Sequence, residues 1–403
     1  MPAGVEGFVP GRLTMAREAR ALRQTELADL INRSPATVSK YESIASPQRP
    51  DPAILPRLAE VLQVDMGWFF KPLVQQEGTA VFYRSLVSEL ELMRNKARAR
   101  LGFVEAIEET LSQYVDLPEV DVPDLLEGRD YRTLRREDFD FYAAALRDHW
   151  DLGDGPIEDL LLVIENAGIV VAEDEIGSVK LDGVSWWSLA TGRPYMLVAQ
   201  DKNVAVRRRL DAAHEMAHVV LHRYVGPEDL KRDFRLIEEQ AMAFAGAFLL
   251  PAETFGDEVY SHSLEALVAL KSKWKVSVGA MIKRLGHLGS ISEHYERRLW
   301  QYYSYRKWRA REPLDDIITV EQPQNLRSSI EMLVEDDFIS RGELLRETGL
   351  SAQDLCSLTG LPTDFFDAAP ANLVRLRPSV KRWEDDDENL TSGIIVPFGE
   401  RRK

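Results

Sequence analysis

Two histidines four residues apart bracket a glutamate in the segment His214-Glu215-Met216-Ala217-His218. Residues four apart on a helix share one face, so both imidazoles can bind one metal ion there. Glu215 is offset by one residue and can reach a water molecule on that metal. In a chain with 7 histidines this pattern arises by chance on the order of once in a hundred chains, so the surrounding sequence must support it.

A third protein ligand is expected from a later helix. Glu238 lies twenty residues beyond His218 and is predicted to open a helix over Ile237–Leu250. The apolar face of that helix continues at positions +3, +7 and +10 from this glutamate, which are Ala241, Ala245 and Phe248. A buried glutamate at the head of such a face needs a partner, and a metal supplies one. Glu239 is the competing candidate, about a third of a turn away, and Glu238 is preferred.

The elements around these residues predict an α+β domain, with strands grouped before helices. Strands are predicted at residues 168–171, 184–189 and 195–199, and helices at residues 139–150, 156–167 and 203–222. The strand Tyr195–Ala199 directly precedes the helix with the two histidines. It either pairs with an extended substrate segment or lies in the middle of the sheet.

The N-terminal region predicts a different, all-helical domain. Helices are predicted at residues 13–22 and 24–31, and a third begins with Ser34 as its N-cap and Pro35 in its first turn. Val38 is expected to pack inward, while the small and polar side chains around it suit a helix that enters the DNA major groove. The basic residues expected on exposed faces, for contacts with phosphates, are Arg17, Arg23, Arg33 and Lys40.

Composition fits a multidomain globular protein. The chain has 403 residues and a net charge of -16, whereas residues 1–70 carry 8 basic and 8 acidic side chains, so that region is neutral. Cys356 is the single cysteine, which excludes an internal disulfide and a cysteine-rich zinc ribbon. No secretory signal is visible at the N-terminus, and the longest apolar stretch, Ala241–Leu250, is far below the ~20 residues of a membrane helix. A cytoplasmic location is expected.

A set of N-terminal residues matches a known DNA-binding pattern, namely Gln24, Glu26, Leu27, Ala28, Ser34, Thr37, Val38, Ser39, Tyr41 and Glu42. With these residues, residues 11–70 resemble the Cro/lambda-repressor-like (Xre) helix-turn-helix family. The resemblance implies a homodimer on a double-stranded DNA operator, with a phosphate contact at Gln24 and a recognition helix from Ser34 to Lys40. The candidate DNA-binding residues are Gln24, Arg33, Ser34, Pro35, Ala36, Thr37, Ser39 and Lys40.

Three further segments match a second pattern, namely residues 192–198, residues 213–222 and the residues of Glu238-x-x-Ala241-x-x-Phe244-Ala245-x-x-x-Leu249-Leu250-Pro251. With these segments, residues 136–313 resemble the ImmA/IrrE family of zincin-like metallopeptidases. The resemblance implies one zinc ion held by His214, His218 and Glu238, with Glu215 as the general base. It also implies that the chain cleaves a repressor or antitoxin-like protein.

The sequence departs from that family at two positions on the Glu238 helix. Met242 stands where the family commonly has Asn or Asp, and Gln240 replaces a frequent acidic residue. A small polar residue at 242 would support a ligand histidine, so its loss predicts weaker metal binding or activity. His222, one turn past the motif, is interpreted as structural or as support for a ligand. The alternative function is a transcription regulator whose zincin-like domain is a non-catalytic sensor.

The predicted domain order is a helix-turn-helix domain (1–72), a helical linker (73–135), the peptidase-like domain (136–312), a helical domain (313–378) and a charged tail (379–403). The linker is expected to hold a hinge at residues 71–80 and a helix over residues 82–115 whose basic middle, Arg94 to Arg100, is a solvated face. The aromatic and basic run 291–311 predicts an amphipathic helix. Residues 340–346 and 351–359 predict two short helices, a weak hint of a second helix-turn-helix, and residues 384–388 form an acidic run.

Overall fold

The computed structural model describes residues 5–45, 48–73, 80–83, 90–202 and 204–367. Most of the predicted hinge and the acidic run at residues 384–388 lie outside these ranges. The helices are α1 (Pro10–Ala19), α2 (Gln24–Leu30), α3 (Pro35–Glu42), α4 (Leu55–Leu62), α5 (Glu91–Leu111), α6 (Arg136–His149), α7 (Leu160–Asn166), α8 (Ala205–Leu221), α9 (Pro227–Leu249), α10 (Ala252–Glu258), α11 (Leu264–Trp274), α12 (Val278–His287), α13 (Glu293–Tyr305), α14 (Asn325–Glu335), α15 (Arg341–Thr348) and α16 (Ala352–Thr359). The strands are β1 (Phe82–Tyr83), β2 (Val170–Asp174), β3 (Gly183–Trp187) and β4 (Pro194–Ala199). An N-terminal helical region, a mixed α/β region and C-terminal helices follow one another, as the sequence predicts.

The first four helices form the helix-turn-helix region. The Ser34 side chain accepts a hydrogen bond from the Thr37 backbone N–H, which caps α3, and Val38 is fully buried beneath it. Both features confirm the sequence prediction. The prediction that Arg17 is exposed is wrong, because this residue is buried and pairs with Glu42 at 2.6 Å. Because a guanidinium inside the domain needs a carboxylate partner, Arg17 holds α1 to α3 and is not exposed to DNA phosphates.

A mixed sheet in the order β1-β3-β4-β2 lies at the centre of the α/β region. Strands β2 and β4 are parallel, while β3 runs antiparallel to β4 and β1 runs antiparallel to β3. Both edges of β4 are therefore occupied within the sheet. Of the two roles considered for this strand, the central one is correct, and pairing with a substrate segment is wrong.

Helix α8 packs on β3 and β4 from one side and against α9 from the other. Helix α9 begins at Pro227, ten residues before the predicted start at Ile237, and is kinked at Asp233. The prediction that Glu238 opens the helix is therefore wrong, since this residue lies at the middle of α9, after the kink. The charged segment before it gave no apolar periodicity, whereas Pro227 in the first turn starts the helix.

The predicted helix over residues 82–115 is also corrected. Phe82 and Tyr83 form β1, and the described helix α5 begins only at Glu91. Its basic middle is not a uniform solvated face, because Arg100 is buried and its Nε atom donates to Asp174 at 2.5 Å. A second carboxylate, Asp354 on α16, pairs with the same guanidinium. Helix α5 thus contacts the sheet and the C-terminal helices through one buried cation.

The C-terminal helices pack against the sheet and against the helix-turn-helix region. Ser340 and Ser351 cap α15 and α16 at the positions predicted for these helices. Helix α16 packs on β2, and the backbone of Leu350 forms a bridge with that of Val64, next to α4. In α13, Leu299 and Tyr303 are buried, which supports the amphipathic interpretation. No helix in the described part of the chain is long and apolar enough to span a membrane.

Candidate functional site

Helices α8 and α9 bring three potential metal ligands together. The Nε2 atoms of His214 and His218 lie 3.1 Å apart, because the two residues are one helical turn apart on α8. From α9, the Glu238 carboxylate approaches His214 Nε2 at 3.2 Å and His218 Nε2 at 3.3 Å. Both imidazoles are buried. These are the residues for which the sequence predicts a metal site, and the fold gathers them around one point.

The competing candidate Glu239 points elsewhere. Its carboxylate is 61% exposed and pairs with Arg235 at 2.8 Å on the same helix. The Glu238 side chain is only 14% exposed. Since one residue rotates a helix by about 100°, only one of the two adjacent glutamates can face α8.

The spacing of the three side chains suits a small tetrahedral metal ion. Zinc binds nitrogen and oxygen ligands at ~2.0–2.2 Å, which places two ligands of a tetrahedron roughly 3.3–3.5 Å apart. The two Nε2 atoms are 3.1 Å apart, the Nε2 atom of His214 is 3.2 Å from Oε2 of Glu238, and that of His218 is 3.3 Å from Oε1, all close to that edge. Within the described residues, the buried Oε1 atom of Glu238 has no hydrogen-bond partner. A cation between the three side chains would satisfy that oxygen.

A chain of hydrogen bonds behind His218 determines which of its nitrogens carries the proton. The Gln240 side-chain amide donates to the backbone carbonyl of Tyr131 at 2.7 Å, so its oxygen faces His222 Nε2 at 3.0 Å and must accept. Burial lowers the pKa of His222 to about 3, so this ring is neutral and its Nδ1 atom is an acceptor. That atom lies 3.1 Å from His218 Nδ1, which therefore donates. The Nε2 lone pair of His218 is left directed at His214 and Glu238.

This arrangement gives a role to Gln240, which from the sequence is only a departure from the family pattern. Gln240 is buried and orients His222, and His222 in turn orients His218. Met242, the other departure, is half-buried on the same helix. Tyr131 was not predicted, because its contribution is a backbone carbonyl that has no sequence signature.

Glu215 lies between α8 and the sheet. Its Oε2 atom accepts a hydrogen bond from Ser185 on β3 at 2.7 Å, and a Cβ atom at Gly183 would meet the Glu215 Cγ atom at 2.8 Å. The glycine therefore makes room for the carboxylate. Burial raises the pKa of Glu215 to about 7, against the opposing effects of His214 and the Ser185 hydrogen bond. A carboxyl group with this pKa can both accept and release a proton at neutral pH.

Ser185 was missed by sequence reasoning. It stands in the apolar strand Val184-Ser185-Trp186-Trp187 and is fully buried. A buried hydroxyl in such a strand needs a hydrogen-bond partner, which is the signal that could have identified it. The partner itself is separated from it by thirty residues and is visible only in the fold.

The predicted DNA-binding residues lie at the start of α2, in the turn before α3 and on α3. Six of them are exposed: Arg33, Ser34, Pro35, Ala36, Ser39 and Lys40. Thr37 is half-buried, and its hydroxyl lies 2.9 Å from that of Ser34. Gln24 is also half-buried, and its amide donates to Glu42 at 2.8 Å. In this state the Gln24 amide is held against α3 at the start of α2.

Comparison with known families agrees with both parts of the structure. Residues 11–67 match a model described as a helix-turn-helix domain, and residues 164–286 match a peptidase model described as an IrrE N-terminal-like domain. The second match includes α8, Glu238 and the strands β2, β3 and β4. No curated protein matches the chain. The two family resemblances stated from the sequence are thus confirmed, and they support a transcription regulator that carries a peptidase-like domain.

Proposed function

We propose that this chain is a DNA-binding zinc metallopeptidase that regulates transcription by cleaving a repressor or antitoxin-like protein. The observation that supports this most is the convergence of His214, His218 and Glu238 beside the buried carboxylate of Glu215. Two imidazoles and one carboxylate leave a fourth tetrahedral position free for water or substrate, as catalytic zinc sites require. The helix-turn-helix match supports the DNA-binding part.

In this proposal, zinc is the cofactor, with one ion per chain on His214, His218 and Glu238, and when bound it activates a water molecule and polarises a peptide carbonyl. Glu215 is the general base, which accepts a proton from the attacking water and delivers it to the leaving amine. Its pKa near 7 suits both steps. Ser185 holds the Glu215 carboxylate in place through the 2.7 Å hydrogen bond.

The DNA partner in this proposal is a double-stranded operator. Helix α3 presents Ala36 and Ser39 to base edges, and Arg33 and Lys40 contact phosphates, because all four are exposed and lie on α3 or directly before it. A homodimer on a two-fold symmetric site is the arrangement expected for this motif. The Gln24 amide would have to exchange Glu42 for a phosphate to act as the resemblance implies.

The decisive experiment compares the zinc-loaded wild-type chain with Glu215→Gln in cleavage of a candidate repressor or antitoxin-like protein. Wild type should cut this protein at a defined bond, whereas the variant should bind the same amount of zinc and cut at a rate at least ~100-fold lower. Equal cleavage by both chains would remove Glu215 from the mechanism. No zinc in either chain would overturn the metal assignment.

The second candidate function is a transcription regulator with a catalytically silent sensor domain. The half-buried Met242 favours it, because the family that the sequence resembles commonly has Asn or Asp at this position. The two functions differ in one measurable way: a sensor that needs no chemistry should regulate its operator normally with Glu215→Gln. A peptidase should lose regulation with the same substitution while it still binds DNA.

A further inference from the structure

Strand β3 lies next to Glu215, the proposed general base, on one side of the site. Ser185 on this strand bonds Glu215, and Gly183 leaves space for the same side chain. One edge of β3 is taken by β4 through five residue pairs, from Gly183 to Trp187. The other edge therefore lies beside the reacting groups and is the edge that an extended peptide would need for backbone pairing.

Strand β1 of the chain itself occupies part of that edge. Phe82 pairs with Ser185 and Tyr83 with Val184, and the strands run antiparallel. Only these two residue pairs join β1 to β3, against five in each of the other two strand pairings of the described sheet. Within the described residues, β1 is thus the strand of this sheet with the fewest backbone pairs.

The side chain of Phe82 lies directly on the candidate ligands. Its ring is stacked on the imidazole of His218 with a centroid distance of 4.6 Å and an interplanar angle of 11°, and it lies 5.9 Å from His222. Phe82 is 3% exposed. The same short segment therefore pairs with the sheet edge and covers the ring face of a candidate zinc ligand.

We propose that residues 80–83 hold the position of the substrate strand, so that β1 must leave β3 before a protein substrate can bind. The substrate class that follows is an extended segment, antiparallel to β3, with an aromatic side chain at the place of Phe82. This inference rests on the proposed peptidase function, because it assigns a substrate position to the β3 edge. It goes beyond that function, because it makes the segment between the helix-turn-helix and the peptidase-like domain a competitor of the substrate.

The test measures binding rather than turnover. A fluorescein-labelled peptide with the sequence of residues 78–87, GTAVFYRSLV, is titrated into the full zinc-loaded chain that carries Glu215→Gln, and anisotropy is recorded. Adding Phe82→Ala should tighten peptide binding at least ~10-fold, since the apparent affinity rises with the fraction of molecules whose edge is free. A peptide with alanine in place of phenylalanine should not bind more tightly to the Phe82→Ala chain.

The control is Phe255→Ala, which removes a buried ring that packs against Trp274. It loosens the core without freeing β3, so it should not tighten binding. Tighter peptide binding by the Phe255→Ala control would overturn the proposal. Unchanged peptide binding by Phe82→Ala would also overturn it and would make β1 a permanent strand of the sheet. If Phe82→Ala does not fold, Phe82→Leu takes its place in the same comparison. Failure of the proposed peptidase function is detected separately, as absence of cleavage by the wild-type chain.

Discussion

The Nδ1 atoms of His218 and His222 lie 3.1 Å apart in the buried space between α8 and α9. Two neutral imidazoles can share such a contact only if one donates and the other accepts. The Gln240 amide assigns these roles, because it makes His222 carry its proton on Nε2. The proton positions on two histidines of one helical segment thus depend on an amide from α9.

The first prediction concerns the third ligand. Glu238→Ala should lose the zinc ion and any proteolysis, because truncation leaves only two imidazoles. Glu239→Ala removes an exposed carboxylate and should stay within ~0.5 kcal/mol of wild-type stability with full zinc content. His214→Ala and His218→Ala should resemble the first variant. Zinc content by elemental analysis decides, and zinc loss with the Glu239 variant alone would reverse the assignment.

The second prediction concerns the support of His218. Gln240→Leu should weaken zinc affinity about 10–100-fold while one zinc still binds at saturation, since the ligands remain and only their orientation is lost. His222→Ala should act in the same direction and retain most of the zinc. Competition with a chelator measures the affinity. Gln113→Leu, at an exposed glutamine, is the matched control, and an affinity loss equal to that of Gln240→Leu would refute the role of the amide.

The third prediction concerns the DNA interface. Lys40→Ala should weaken binding to all duplexes and reduce the salt dependence by about one phosphate contact. Substitutions at Ala36 or Thr37 should instead change which sequences are preferred, because these residues lie on the recognition helix. Selection from random duplexes followed by a salt titration measures both effects. Absence of any bound duplex at low salt would exclude the DNA-binding role.

The fourth prediction concerns Asp354, which joins three parts of the fold. Burial alone would raise its pKa, but the hydrogen bond from Arg20 and the charge of Arg100 lower it below the usual range. An aspartate with a lowered pKa stabilises the folded chain at neutral pH, and this stabilisation is lost as the pH falls below about 4. Asp354→Asn should therefore cost roughly 3 kcal/mol at pH 7, the low end for a broken buried pair, because Arg100 keeps Asp174.

Urea unfolding at pH 7 and at pH 3.5 measures this effect. The difference between wild type and Asp354→Asn should shrink at the lower pH. Asp364→Asn, at an exposed aspartate, serves as the control and should change stability by less than ~0.5 kcal/mol. A cost for Asp354→Asn that is the same at both pH values would show that its charge is not the cause.

The sequence by itself determined the local elements and the residues that could bind a metal. A serine and a proline at the start of α3, and the i, i+4 spacing of His214 and His218, are short-range signals, because helix geometry relates neighbouring residues directly. The choice of Glu238 over Glu239 came from one helical face and agrees with where the two side chains lie. The two family resemblances came from the same local patterns.

Only the tertiary structure decided which distant groups meet. Ser185 reaches Glu215 from another element, Arg100 is buried between Asp174 and Asp354, and the edge of β3 is filled by residues 80–83. None of these contacts follows from periodicity, because strand order and helix packing place residues side by side that lie 30 to 254 positions apart. Buried charges and hydroxyl groups require hydrogen-bond or ion-pair partners, and the tertiary structure determines which residues these partners are.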